Sequence, residues 1–152
     1  MFNVQMEHLF SYSGLLAPPE LIGPSAEGVR AQFYISGGTV AGSRLNGVLK
    51  PVGGDWFCLR RDGIGEVDVR TTIETDDGAL IYLSYRGFGD LGEDGYDRFL
   101  RNELPPKLPL KTAPTLRTAH PKYQWLHRVF CVGVGEFDSA TLSASYDVYA
   151  LH

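Results

Sequence analysis

The stretch DWFCLRRDGIGEVDVRTTIETDDGALIYLSYRG, residues 55–87, decides the fold of this chain. It contains three runs rich in β-branched and aromatic residues, namely Asp55–Arg61, Ile64–Glu74 and Leu80–Gly87. Asp62-Gly63 separates the first two runs, and Asp76-Asp77-Gly78 separates the last two. Tight hairpin turns need a positive φ, which glycine adopts freely, so Asp-Gly pairs are typical of them. The stretch therefore predicts three consecutive antiparallel strands.

Similar runs recur on both sides of this stretch. They are Asn3–Tyr12, Val29–Gly37, Ser43–Lys50, His127–Phe137 and Thr141–Leu151. Many short strands joined by hairpins are typical of a barrel or a sandwich, and closure into a barrel removes the exposed edges that attract aggregation. We therefore predict an all-β protein, a closed or nearly closed antiparallel barrel of about 8–10 strands, formed by residues 1–152 as a single domain.

Two proline-containing segments interrupt the strand pattern. Phe88–Pro121 contains five prolines, a density that argues against a regular central strand or a long helix. We expect a long proline-rich loop here, with a turn or two of helix within Glu93–Glu103. Such a loop could be a lid over a binding site or a plain surface loop. Leu15–Glu27 is predicted to be a second irregular stretch.

Composition excludes several functional classes. The net charge is −4, and the scattered basic residues of 98–117 are diluted by acidic ones, which argues against nucleic-acid binding. No apolar run approaches the ~18 residues of a membrane span, and the first residues lack the pattern of a secretory signal. Cys58 and Cys131 lie in apolar runs and are expected to be buried free thiols. These features predict a cytoplasmic protein without membrane contact, and they leave a homodimer open.

Cofactor and metal motifs are missing from the sequence. The four histidines show no metal-ligand spacing, and Gly53-Gly54 is not followed by the Lys-Ser/Thr of a phosphate loop. We therefore expect no cofactor and no metal. The expected partner is a small organic ligand, most simply an aromatic one.

Side-chain alternation poses the main question about the interior. In the strand Glu66–Glu74, one face carries Val67, Val69, Thr71 and Ile73, and the opposite face carries polar residues that include Asp68 and Arg70. The polar face points either to solvent or to a polar lumen. The two choices predict opposite functions, and the alternation does not decide between them.

An ordered series of short motifs runs along nearly the whole chain, from about Gly14 to Tyr149. The motifs are Ser36-Gly37-Gly38, Leu45-Asn46-Gly47-Val48, Gly53-Gly54-Asp55-Trp56, Arg61-Asp62-Gly63, Asp68-Val69-Arg70, Asp76-Asp77-Gly78-Ala79-Leu80-Ile81 and Pro121-Lys122-Tyr123-Gln124-Trp125-Leu126. In this order they resemble the bacterial and fungal family called "domain of unknown function 3237". The resemblance implies a compact antiparallel β-barrel with a central cavity, and it implies little about activity. Where the family tends to read Trp-Leu-Asn, this chain has Trp125-Leu126-His127, so a role transferred to His127 would replace an amide by an imidazole.

Three residues are candidates for catalysis if the polar face is the lumen. Asp68 and Arg70 lie two apart on one strand and share a face. Asp68 could act as a general base and Arg70 as an anchor for an oxyanion or carboxylate. Tyr82, on the next strand, could polarise a carbonyl group. The alternative is a structural salt bridge and ordinary cross-strand packing.

Seven further residues are candidates for ligand binding. They are Asp55, Trp56, Tyr85, Arg86, Tyr123, Trp125 and His127. Trp56 could stack on an aromatic ring while Asp55 accepts a hydrogen bond, and Tyr123, Trp125 and His127 would share a face of an extended segment at the mouth. The alternatives are a core tryptophan beside a turn aspartate, and a plug that seals one end of the barrel.

Three functions are compatible with these patterns. The first is a cofactor-independent enzyme, an isomerase, cyclase, lyase or dehydratase that moves protons on an aromatic or polyketide-like molecule. The second is a non-catalytic carrier or binding barrel. The third is a structural or interaction barrel with a filled core, in which Asp68 and Arg70 face water.

Overall fold

The computed structural model describes residues 1–152 and contains ten strands in one sheet. Their bounds are β1 Met6–Leu16, β2 Glu20–Pro24, β3 Val29–Ala41, β4 Gly47–Leu49, β5 Gly54–Leu59, β6 Ile64–Thr75, β7 Leu80–Asp90, β8 Lys107–Arg117, β9 Phe130–Asp138 and β10 Ser143–Leu151. There are two helical segments, α1 over Gly95–Leu100 and a 3₁₀ helix over Pro121–Arg128. Neither helix is long and apolar enough to cross a membrane.

The sheet closes into an antiparallel barrel, which confirms the predicted fold class. Hydrogen-bonded neighbours run β1-β10-β9-β8-β7-β6, β4 and β5 both lie between β6 and β3, and β3 pairs with β1 to close the ring. β4 and β5 are two pieces of one interrupted strand, and β2 continues the line of β1 along β3. The ten strands therefore fill eight positions around the barrel. Both predicted hairpins, β5–β6 and β6–β7, are present.

The prediction of an irregular loop over Phe88–Pro121 is wrong in its second half, where β8 forms. At Pro109, β8 is paired with β9 but not with β7. At Pro114, β8 is paired with β7 but not with β9. Each proline thus has an unpaired side where no backbone N–H is needed, as on an edge strand. The short α1 confirms the helical turn expected within Glu93–Glu103. Leu15–Glu27 was likewise expected to be irregular but contains β2.

The β6 strand settles which face is inside. Val67, Val69, Thr71 and Ile73 are at most 5% exposed, whereas the side chains of Asp68 and Arg70 are 30% and 46% exposed. An eight-stranded barrel has an interior just wide enough for side chains, and burying an apolar side chain is favourable by ~1.5–3 kcal/mol while burying charges is costly. The apolar face therefore turns inward, and the reading of the Asp68–Arg70 face as a polar lumen is wrong.

The interior divides into a filled half and an open half. At the end that holds the β6–β7 turn, large fully buried side chains fill the barrel, among them Leu45, Ile73, Ile81, Leu83 and Leu126. At the opposite end, beside α1, the interior is a cavity lined by Val67, Val69 and residues of seven other strands. The filled core required by a purely structural barrel is therefore present in only one half.

Candidate functional site

The cavity is almost entirely apolar and contains one charged group. Its volume, including the solvent space at its mouth, is about 750 Å³. The residues that line it are Leu16, Phe33, Ile35, Asp55, Phe57, Val67, Val69, Tyr85, Leu91, Phe99, Leu104, Pro105, Leu108, Leu110, Phe137, Ala144 and Tyr146. Asp55 is the only charged residue among them. Largely apolar concavities with a few polar groups are typical of small-molecule sites.

Asp55 is held on the inner wall by a local break in the β5–β6 ladder. Asp55 pairs with Val69 and Cys58 pairs with Glu66, but the two residues between them, Trp56 and Phe57, have no ladder partner on β6. At this gap the Asp55 Oδ1 atom accepts a hydrogen bond from the backbone N–H of Asp68 at 2.9 Å. The carboxylate thus replaces a missing backbone carbonyl, which fixes its orientation and leaves Oδ2 for other partners.

The environment of Asp55 favours its protonated form. Burial away from water raises its pKa from 3.8 to about 7, the Asp68 hydrogen bond opposes this rise, and the negative charge of Asp68 adds to it. Desolvation dominates because a carboxylate in apolar surroundings loses its hydration without gaining a cation. A carboxyl group that titrates near neutrality can both accept and donate a proton under ordinary conditions.

Three tyrosines, Tyr12, Tyr85 and Tyr146, form an aromatic cluster near this acid. The Tyr12 and Tyr146 rings are stacked at 5.1 Å between centroids, and Tyr85 meets Tyr146 edge-on at 5.5 Å. Tyr85 and Tyr146 line the cavity, while Tyr12 lies behind them, and its buried hydroxyl has no hydrogen-bond partner. Burial raises the pKa of all three phenols well above the usual range, and the charge of Asp55 adds to the rise. The phenols therefore stay protonated and can donate hydrogen bonds.

The structure brings together only two of the residues expected from the sequence to form a site. Asp55 and Tyr85 share the cavity, whereas Trp56 lies on the outer face with the Arg70 guanidinium 5.4 Å from its ring centroid. Asp68 forms ion pairs outside the barrel with Arg70 at 3.4 Å and Arg86 at 3.5 Å. Tyr85 and Arg86 are consecutive on β7, so their side chains point to opposite faces of the sheet.

Tyr82 and Arg86 also point away from the cavity in which the sequence predicted a role for them. Tyr82 is 46% exposed on the outer face of β7, and the Arg86 side chain is 79% exposed. Together with Asp68 and Arg70, they cannot act on a molecule inside the barrel, because the wall of the sheet separates them from the cavity. The interior catalytic roles that the sequence suggested for Asp68, Arg70 and Tyr82 are therefore not supported by their positions.

The segment that contains Tyr123, Trp125 and His127 is a 3₁₀ helix and not an extended strand. Tyr123 is buried, and its hydroxyl donates a hydrogen bond of 2.8 Å to Asp77 Oδ1 in the β6–β7 turn. His127 is exposed and its Nε2 accepts the Thr118 backbone N–H at 3.0 Å. These residues lie at the filled end of the barrel, away from the cavity. This arrangement agrees with the plug interpretation and not with a ligand-binding mouth.

Sequence reasoning missed most of the cavity wall, including Tyr146, Phe33 and Phe137. A usable signal existed for Tyr146, because alternation along Ser143–Leu151 puts the polar Ser143, Ser145 and Asp147 on one face and Ala144, Tyr146, Val148 and Ala150 on the other. A signal also existed for Asp55, which alternates with Phe57 and Leu59 and is thus an acid on an apolar face.

These features define a class of protein, a small closed antiparallel β-barrel with an apolar cavity at one end and a single, partly buried carboxyl group inside it. The family model described as "Protein of unknown function (DUF3237)" matches residues 4–151 of the chain. The chain therefore belongs to this family, as the series of motifs predicts.

Relatives and solved structures agree in length and fold. A UPF0311 protein of Clostridium acetobutylicum is 33% identical over 127 residues, covering 82% of this chain and 80% of that protein. A UPF0311 protein of Rhodopseudomonas palustris is 30% identical over 133 residues, covering 86% and 87% respectively. A crystal structure described as a "beta-barrel like protein" from Acinetobacter baumannii superposes with a TM-score of 0.83 at 31% identity, over 100% of this chain and 98% of that one.

A more distant structure has the same fold. A crystal structure described as an enzyme from Penicillium herquei superposes with a TM-score of 0.71 at 20% identity, over 100% of this chain and 97% of that one. At this identity the likeness shows the fold alone.

Proposed function

We propose that this protein is an enzyme without a cofactor, which uses Asp55 to move a proton on a small, largely apolar carbonyl compound bound inside the barrel. The observation that carries the proposal is one carboxyl group, anchored through Oδ1 and titrating near neutrality, in a cavity that is otherwise apolar. The apolar and aromatic lining matches the polarity of aromatic or polyketide-like molecules.

The proposed step is removal of a proton next to a carbonyl group. The Asp55 carboxylate accepts the proton from the α-carbon and becomes a carboxylic acid, while the C–H electron pair forms the enolate. The enolate oxygen is stabilised by a hydrogen bond donated by the phenol of Tyr85 or Tyr146, both protonated and in contact with the cavity. Return of the proton from Asp55 to another carbon of the enolate gives an isomerisation. If the enolate instead expels a β-hydroxyl group, the C–O bond breaks, the Asp55 acid protonates the departing oxygen and water leaves, which gives a dehydration. If the enolate carbon attacks a second carbonyl group of the same molecule, the Asp55 acid protonates the new alkoxide, which gives a cyclisation.

The surroundings of the acid support this chemistry. Apolar walls exclude water, so the interaction between the carboxyl group and a bound carbonyl compound is stronger than in solution. General acid–base catalysis is most effective when the pKa of the group lies near the working pH, and it typically contributes 10²–10⁴-fold in rate.

The test is exchange of α-protons. Acetophenone and the bulkier 2-acetonaphthalene are incubated with the protein in D₂O, and loss of the α-proton signal is followed by NMR. We expect exchange above the buffer rate, rising as Asp55 ionises around pH 7 and levelling off above it. Asp55→Asn should reduce the protein-dependent rate by at least about 100-fold.

Asp147→Asn is the matched control, because Asp147 is an exposed acid on the outer face of β10 next to Tyr146 in sequence. The Asp147→Asn variant should exchange the α-protons of the ketone at the same rate as the unsubstituted protein. Equal exchange rates in Asp55→Asn and in the unsubstituted protein would refute the assignment of Asp55.

A carrier is the second candidate, favoured by the fifteen hydrophobic residues among the seventeen that line the cavity. A carrier would bind the ketones in both the unsubstituted protein and Asp55→Asn but would show no protein-dependent exchange in either. Binding measured in the same samples thus separates the two functions.

A further inference from the structure

The cavity wall contains an acid but no base. None of the lining residues is Lys, Arg or His, and the polar groups available to a ligand are Asp55 and the phenols of Tyr85 and Tyr146. Arg70 and Arg86, on the adjoining strands, are on the outside and pair with Asp68. Arg98 and Lys107, which adjoin the lining, pair with Glu103 and Glu136. An anion inside the barrel would therefore find no cation.

We propose that the cavity selects uncharged ligands, a flat ring system with one carbonyl group, and rejects carboxylates and phosphates of the same shape. This selectivity deepens the proposed function, on which the choice of a carbonyl compound rests. An anion would lose its hydration in apolar surroundings and would also meet the negative charge of ionised Asp55.

The groups that face Asp55 leave one oxygen atom for the ligand. From β6, the Asp68 backbone N–H occupies Oδ1. From β7 and β10 come the neutral phenols of Tyr85 and Tyr146, and from β1 comes Tyr12 behind them. From β3, the register partner is Phe33, which is apolar. Oδ2 is thus the atom from which a protonated Asp55 can donate a hydrogen bond to a ligand carbonyl.

The aromatic residues beside the acid suit a flat ring. Phe33 meets Phe57 edge-to-face at 6.0 Å and 88°, and it meets Phe137 at 5.8 Å and 67°. Rings prefer such edge-to-face and offset contacts, which contribute ~0.5–1.5 kcal/mol beyond the buried area. A ligand ring can extend this wall while its carbonyl group faces Asp55.

Binding and turnover should then depend on pH in opposite directions. Below the pKa of Asp55, the acid donates a hydrogen bond to the carbonyl oxygen and binding is tightest. Above it, the carboxylate can no longer donate, so binding weakens while the basic form needed for proton removal accumulates. Asp68, Tyr12, Tyr85 and Tyr146 are the titratable groups around Asp55, and the three phenols stay neutral in this range.

The experiment compares three probes of similar shape and different charge. Acetophenone, benzoate and benzylammonium are titrated into the full-length protein at pH 6 and pH 8, with dissociation constants measured by NMR or calorimetry. We expect benzoate to bind at least about 100-fold more weakly than acetophenone at pH 8. We also expect acetophenone to bind several-fold more tightly at pH 6 than at pH 8.

Variants connect the effect to the cavity. Asp55→Asn should lose the pH dependence of acetophenone binding, while Asp147→Asn should retain it. Leu110→Asp, which adds a second acid to the lining, should weaken acetophenone binding, and a stability measurement on this variant shows whether it is folded.

Three results would overturn the inference. They are benzoate binding as tightly as acetophenone, benzylammonium binding more tightly than acetophenone at both pH values, and no binding of either acetophenone or 2-acetonaphthalene up to their solubility limits. Charge selectivity is measured by equilibrium binding, whereas proton exchange is measured as a rate. Selective binding without exchange would therefore overturn the proposed enzyme and leave the inference standing.

Discussion

Replacing Asp55 by asparagine should stabilise the protein at alkaline pH. The introduced asparagine side chain has nearly the shape of the protonated acid, and its amide oxygen can still accept the Asp68 backbone N–H that Asp55 Oδ1 accepts at 2.9 Å. What the substitution removes is the negative charge that the apolar cavity disfavours. The stability difference between the variant and the unsubstituted protein therefore measures the cost of ionising Asp55 inside the barrel.

The magnitude follows from the pKa. A rise from 3.8 in the unfolded chain to about 7 in the folded protein corresponds to ~4 kcal/mol, since each pH unit is ~1.36 kcal/mol. Below pH 3.8 the group is protonated in both states and has no effect. Between 3.8 and 7 the unfolded chain ionises first, so the free energy of unfolding falls as pH rises, and above 7 the full cost is present.

The assay is urea unfolding of both proteins at pH 5 and pH 8.5. From the linkage relation, we expect the stability of Asp55→Asn relative to the unsubstituted protein to increase by ~2–3 kcal/mol between these two pH values. Asp76→Asn, at an exposed acid of the β6–β7 turn that forms no ion pair, should show no such pH-dependent change. If the unfolding free energies of Asp55→Asn and the unsubstituted protein differed by the same amount at pH 5 and at pH 8.5, the argument that burial raises the pKa of Asp55 would be refuted.

Two further predictions concern the turns and the closed end. Gly53 and Gly78 both have positive φ values, +80° and +85°, but a Cβ at Gly53 would overlap the Arg70 carbonyl oxygen, while a Cβ at Gly78 meets nothing within 4 Å. Gly78→Ala should therefore cost ~1–2 kcal/mol of unfolding free energy and Gly53→Ala clearly more, and equal costs in urea unfolding would contradict the steric argument. Tyr123→Phe removes the hydrogen bond to Asp77 and should lower stability by ~1–2 kcal/mol, with acetophenone affinity unchanged because the cavity is at the other end. A loss of affinity in that variant would place the ligand at the 3₁₀ helix.

The strand pattern was predictable from local chemistry. The Asp-Gly turns at Asp62-Gly63 and Asp76-Asp77-Gly78 and the apolar alternation of residues 64–74 define hairpins without reference to distant parts of the chain, and both hairpins are present. β8 was not predictable in this way, because the tolerance for Pro109 and Pro114 depends on which neighbours happen to pair beside them.

The candidate site was predictable only in part. Asp55 and Tyr85 were identified by residue type, but the sequence assigned the central acid–base role to Asp68, which lies on the outer wall. The error arose because the pattern of one strand is the same whether its polar face meets water or a lumen.

The sequence by itself determined the β5–β6 and β6–β7 hairpins and the two faces of their strands, since these depend on backbone preferences and a two-residue period. Only the tertiary structure decided which face is inside and where the barrel stays open. Closure at eight positions leaves room for apolar side chains but not for the Asp68–Arg70 pair. Packing from β1, β3, β7 and β10 then surrounds Asp55 with apolar and aromatic groups that are distant in the chain, and this removal from water gives the carboxyl group its unusual chemistry.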